Sequence, residues 1–186
     1  MVGLGNPGKK YELTRHNFGF LTVAQLLNLF SKEINQKLIF SSSTKFKSEI
    51  CQFIYGDKKV ILAKPQTFMN LSGQAAKIFH YFYKPEKIIV IYDDLYLPLG
   101  TIRMRDDGES GGHKGVEDII QHIGNDFFRV KLGIGPQPKN LSGEKFVLQN
   151  FSQEELISVE KAINLASEKL LEKIKQNNFE PITLAI

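Results

Sequence analysis

The chain has 186 residues, 42% of them hydrophobic, which suits one domain with a sizeable core and excludes a disordered composition. Its 24 Lys+Arg against 20 Asp+Glu leave a formal charge of +4, an excess that permits a polyanionic partner without demanding one. The single cysteine, Cys51, excludes an internal disulfide and fits a reducing compartment. With no secretory signal and no run of about 18 apolar residues, the expected location is the cytoplasm.

In chain order, Met1–Leu4 reads as a short apolar strand stopped by a glycine-rich turn at Gly5–Gly8. Phe18–Phe30, dense in Leu, Val, Ala and Phe, is too long for one strand and is expected to be a buried helix. Ser48–Tyr55 and Lys59–Lys64 read as strands joined around Gly56-Asp57. Ser72 is expected to cap a helix running through Tyr83, with Pro85 as its stop. The β-branched run Ile88–Ile91, ending in Tyr92-Asp93-Asp94, reads as an interior strand of a parallel sheet. Met104–His113, charged and glycine-rich, is the main loop candidate. Gly115–Ile123 and Val130–Ile134 repeat the helix-then-strand theme. Ser152 and Glu155 form a capping-box pair opening a last helix, whose stripe from Leu156 to Ile174 is packing. This alternation predicts an α/β fold over residues 1–186: a single-domain three-layer sandwich, with a mixed, mostly parallel sheet and helices on both faces.

Gly3, Gly5 and Gly8 match the G-x-G-x-x-G dinucleotide fingerprint. In that motif the helix starts on the glycines, so that its amides can hold a pyrophosphate. Here the polar stretch Lys9–Asn17 intervenes, and a structural turn is the better reading. No Cys/His cluster or His-Glu-x-x-His pattern suggests zinc, and no Gly-x-Ser-x-Gly elbow or Walker A sequence is present.

His16, just before the buried helix, is the natural general base near neutral pH, and open α/β sheets place sites near the carboxyl ends of their strands. On residue type alone it suits a capping or surface position equally. Asp93 is expected at the same sheet edge, where a carboxylate could fix an imidazole's tautomer and stabilise its cation. Asp94 competes for that role. Asn6 and Asn70 carry neutral amides able to steady a carbonyl oxygen as it becomes an oxyanion, or simply to form turns. His80 and His122 fall on helices and read as structural.

Taken together, Val2-Gly3-Leu4-Gly5-Asn6-Pro7-Gly8, Tyr11 with Thr14-Arg15-His16-Asn17, Lys64 through Gly73, Asp93 through Gly100, Gly111-Gly112-His113 with Gly115, and Gly133-Ile134-Gly135 resemble the bacterial-type peptidyl-tRNA hydrolases, in the family's order, over about residues 1 to 175. The resemblance implies a monomeric esterase that needs no metal or organic cofactor and acts on peptidyl-tRNA. It implies His16 as catalytic base and Asp93 as its orienting partner. Asn6 and Asn70 would bind the peptide and ester region, and Tyr11, Met69 and His113 would line the same cleft. Arg103, Arg105 and Lys131 are the expected tRNA phosphate contacts. The family commonly has asparagine after Gly-Gly-His; this chain has Lys114, whose ammonium cannot reproduce an amide's paired donor and acceptor. Family members also carry a few apolar residues before the first turn, so the first strand is expected to be short here. Rival readings are a nucleotide-dependent oxidoreductase, a non-catalytic RNA-binding module and an esterase for another substrate.

Overall fold

A computed structural model describes residues 1–186. Its strands are β1 (Val2–Gly3), β2 (Ser41–Ser43), β3 (Ser48–Tyr55), β4 (Lys58–Pro65), β5 (Ile89–Pro98), β6 (Thr101–Arg105), β7 (Phe128–Gly135) and β8 (Ile182–Ala185). The helices are α1 (Phe18–Glu33), α2 (Ser72–Tyr83), α3 (Lys114–Ile123), α4 (Gly143–Val147) and α5 (Gln153–Gln176). The eight strands form one mixed sheet in the order β2-β3-β4-β1-β5-β7-β6-β8, with β4, β1, β5 and β7 parallel at its centre.

The pleat assigns each face its own core. Ile89 and Ile91 of β5 join Val130 and Leu132 of β7 under α1 and α5. Val90 and Tyr92, the alternate positions, pack with Ala75, Ala76, Val116 and Ile119 under α2 and α3. The chain is therefore a three-layer sandwich with helices on both faces of the sheet, as the alternation of elements predicts. No helix is long and apolar enough to cross a membrane.

Strand β1 pairs only at Val2 and Gly3, between β4 and β5. Helix α1 lies against it because both surfaces are bare: a Cβ on Gly3 would stand 2.4 Å from Gly19 O, and one on Gly19 would stand 2.2 Å from Ile91 O. Gly3 and Gly5 of the opening motif thus serve close helix–strand approach, whereas Gly8 has open space around it and a φ of +106°. The residues after Gly8 form a 3-10 turn at Lys9–Tyr11, and α1 begins only at Phe18, which removes the geometry of a dinucleotide loop.

Several sequence expectations need correction. Ser72 does not cap α2. A 3-10 turn at Met69–Leu71 runs directly into the helix, and Ser72 Oγ donates instead to Met69 O at 2.8 Å. Strand β5 does not stop at Asp94; after an irregularity it continues to Pro98, which pairs with Gly135. Met104 is not in a loop. It is fully buried in β6, which pairs on both sides, so the connecting segment begins at Asp106. The short edge strands β2 and β8 were not foreseen.

Candidate active site

The carboxyl ends of the parallel strands carry the site. His16 belongs to a 3-10 turn, Arg15–Asn17, that feeds α1, and Asp93 lies in β5. The turn is fixed by a reciprocal amide lock: Asn6 N–H donates to Asn17 Oδ1 at 2.8 Å, and Asn17 Nδ2 donates to Asn6 O at 3.0 Å. Asn6 Oδ1 in turn accepts the Met69 N–H at 2.9 Å.

His16 Nδ1 lies 2.9 and 3.0 Å from the two oxygens of Asp93, and His113 Nε2 lies 3.1 Å from Asp93 Oδ1. These distances assign the protons. His113 stands at the N-cap of α3, where its Nδ1 accepts the Val116 N–H at 3.3 Å, so its own proton resides on Nε2 and points at Asp93. A carboxylate only accepts, so His16 Nδ1 is also protonated and its Nε2 keeps a free lone pair. Asp93 is 2% exposed. Burial pushes its carboxyl upward, but attraction to His16 and His113 and the hydrogen bonds from both rings outweigh this and hold it well below the usual carboxylate range. The three side chains also have metal-ligand spacing, within 4.8 Å. The nitrogens facing Asp93 carry protons, however, so a cation there would have to displace both.

A cleft of about 330 Å³ opens at this point, lined by His16, Tyr92, Asp93, Asp94, Leu95, Tyr96, Ser110, Gly111, Gly112, His113, Lys114, Gln137, Gly143, Glu144 and Val147. Lys114 is exposed and its Nζ meets Glu117 at 3.1 Å. Four further expected contacts lie outside this lining. Met69 is buried in the α2/α3 core. Tyr11 is half-buried under Lys10, whose Nζ stands 4.7 Å from the ring centroid. Asn6 is committed to Met69, and Asn70 is exposed on the neighbouring 3-10 turn.

Beside the cleft, strand register sets cations opposite each other: Arg103 faces Lys131, and Arg105 faces Arg129. Like charges directly opposite are destabilising, so each needs compensation. Lys131 Nζ reaches Asp94 at 3.1 Å, and Arg105 Nε stands 3.9 Å from Asp107. Arg129, fully buried, donates to the carbonyls of Asp106, Phe127 and Asn125. Arg103 Nε is buried with no partner. Tyr92, in register with Lys131, has its ring centroid 5.1 Å from that of His113 and so joins this row to the cleft. Neither Arg129 nor Tyr92 stood out in the sequence; the alternation of Arg103, Arg105, Arg129 and Lys131 along two strands was the available signal.

A family model described as peptidyl-tRNA hydrolase matches residues 1–183. The chain belongs to that family. It is similar to the peptidyl-tRNA hydrolase of Fervidobacterium nodosum, 42% identical over 97% of this chain and 91% of that one. That of Clostridium perfringens is 43% identical over 97% and 93%. A crystal structure of peptidyl-tRNA hydrolase from Acinetobacter baumannii superposes with a TM-score of 0.84 at 34% identity, covering 96% of this chain and 90% of that one. The peptidyl-tRNA hydrolase match thus reaches β8, beyond the motifs legible in the sequence.

Proposed function

We propose that this chain hydrolyses the ester joining a peptide to the 3′-terminal ribose of tRNA, with His16 as general base, and so recycles tRNA released prematurely from ribosomes. The family match supports the reaction. The observation that carries the mechanism is the meeting of His16 Nδ1 and His113 Nε2 on Asp93, which in the neutral His16 ring leaves Nε2 with a free lone pair. Water at that nitrogen gives up a proton as its oxygen bonds to the ester carbonyl carbon. Asp93 stabilises the imidazolium, and the His113 N–H steadies Asp93. A neutral amide such as that of Asn70, which makes no hydrogen bond within the protein, holds the oxyanion; one such donor contributes about 3 kcal/mol to the barrier. When the tetrahedral intermediate collapses, the carbonyl carbon–ribose oxygen bond breaks. The proton on His16 passes to the ribose oxygen, and the peptide leaves as its acid.

His113 and Lys114, in the cleft lining, meet the peptide and ester region directly, while Asn6, Tyr11 and Met69 bear on it from outside that lining. Arg103, Arg105 and Lys131 meet tRNA phosphates, contacts that position without reading sequence. The facing cations of β6 and β7 support that role. In this proposal the enzyme is a single-domain monomer of the cytoplasm and needs no metal or organic cofactor. The test is cleavage of N-acetyl-aminoacyl-tRNA beside unblocked aminoacyl-tRNA. Rapid release from the blocked substrate alone is expected; no release from either by folded protein would favour the RNA-binding reading instead.

A further inference from the structure

The two walls of the cleft come from distant parts of the chain, and one buried side chain touches the supports of both. Arg15 adjoins His16 and is 6% exposed. Its Nη2 donates to both oxygens of Glu155 at 2.8 Å and its Nη1 to Asn150 O at 3.0 Å. The guanidinium lies over the rings of Phe146 at 4.5 Å and Phe151 at 4.9 Å. Phe146 is the buried residue of α4, and Gly143, Glu144 and Val147 of that short helix line the cleft together with His16 and His113. Glu155 has a second partner: it accepts the Ser152 N–H at 2.6 Å and closes the capping box that starts α5. Two backbone ties run alongside, Arg15 N–H to Gln149 O at 3.0 Å and the bridge between Thr14 and Asn150.

A capping box needs only Ser152 and Glu155, and a buried guanidinium is costly unless paired and hydrogen-bonded. The fork from Arg15 to Glu155, closed over Phe146, therefore serves something beyond the helix start. We propose that Arg15 is a positioning residue: with Glu155 it forms a clasp that sets the Gly143–Val147 wall of the cleft at its working distance from His16, and so governs how the substrate is held. This rests on reading the cleft as the hydrolytic site. The backbone ties do not depend on the side chain, so loss of the clasp loosens Gly143–Val147 while Gln149 and Asn150 stay tied to the Thr14–Arg15 backbone and His16 stays paired with Asp93.

Arg15→Lys, Glu155→Gln and the double variant of the full chain test this against N-acetyl-aminoacyl-tRNA, well below the unfolding temperature. Glu155→Gln keeps an oxygen for the Ser152 cap and is the milder change if Arg15→Lys does not fold. Each single variant is expected to raise KM about tenfold, and the double no further, since one interaction is being removed. The pH profile of kcat should not move. Amide hydrogen exchange over residues 143–151 should quicken while that of the central strands does not. A folded variant with wild-type KM, or effects that add in the double variant, would overturn the clasp. The exchange measurement needs no turnover, so failure of wild type to cleave the ester would sink the proposed function while still leaving the clasp under test.

Discussion

At Asp93 two imidazoles share one buried carboxylate, and that economy has consequences for each partner. An asparagine there keeps one acceptor oxygen but sets an NH2 group in place of Oδ2 against the His16 N–H, and it carries no charge to stabilise an imidazolium. Asp93→Asn is therefore expected to lower kcat about a hundredfold or more while the far-UV spectrum stays native; kcat within about twofold of wild type would remove Asp93 from its role. The lowered carboxyl also predicts a pH effect. A carboxyl with a lower pKa folded than unfolded stabilises the fold above its unfolded value, about 4, and loses that contribution as pH falls through the folded value. The stability difference between wild type and Asp93→Asn, measured by urea denaturation, should thus shrink as pH drops below about 4. Sequence alone left Asp93 and Asp94 as rivals, because neighbours on a strand face opposite ways and only the register with β7 decides which meets which side chain. Asp94 bonds Lys131 and the Tyr96 N–H. His113 as second partner of Asp93 was equally hidden, since nothing in Gly-Gly-His tells where α3 docks.

The elements that position the site were legible where periodicity is strong and obscure where pairing decides. Helix α1 and the parallel strands follow from apolar runs, and the capping box at Ser152 and Glu155 forms as the residue types predict. Met104 and Arg105 looked like loop because charge surrounds them, yet Met104 pairs with both β7 and β8 and Arg105 with β7, which makes them strand. The opening glycines matched a nucleotide motif by spacing, and packing against α1 explains Gly3 and Gly5, with Gly8 set by its positive φ. That packing has a measurable cost. In Gly19→Ala the new Cβ would meet Ile91 O and the Leu4 backbone, at 2.2 to 2.6 Å, with no flexible side chain to yield. The expected loss is about 2–3 kcal/mol in urea denaturation. A variant as stable as wild type would mean that α1 can ride away from β1 freely.

Across the whole molecule, the proposed catalytic group and the charge occupy adjoining ground: His16, Asp93 and His113 at the cleft, and the cation row of β6 and β7 reached through Tyr92. A net charge of +4 hardly announced this row, because register rather than composition gathers its members. Replacing Arg105 with alanine should weaken tRNA binding and reduce the slope of log affinity against log salt by about 1. An unchanged slope would exclude it from the phosphate contacts. Single-turnover cleavage of N-acetyl-aminoacyl-tRNA by wild type and His16→Ala, with tRNA binding measured on the same samples, reaches the central assignment most directly. The variant should bind tRNA as wild type does and cleave it about a thousandfold more slowly. Cleavage at the wild-type rate by folded His16→Ala would contradict His16 as the base.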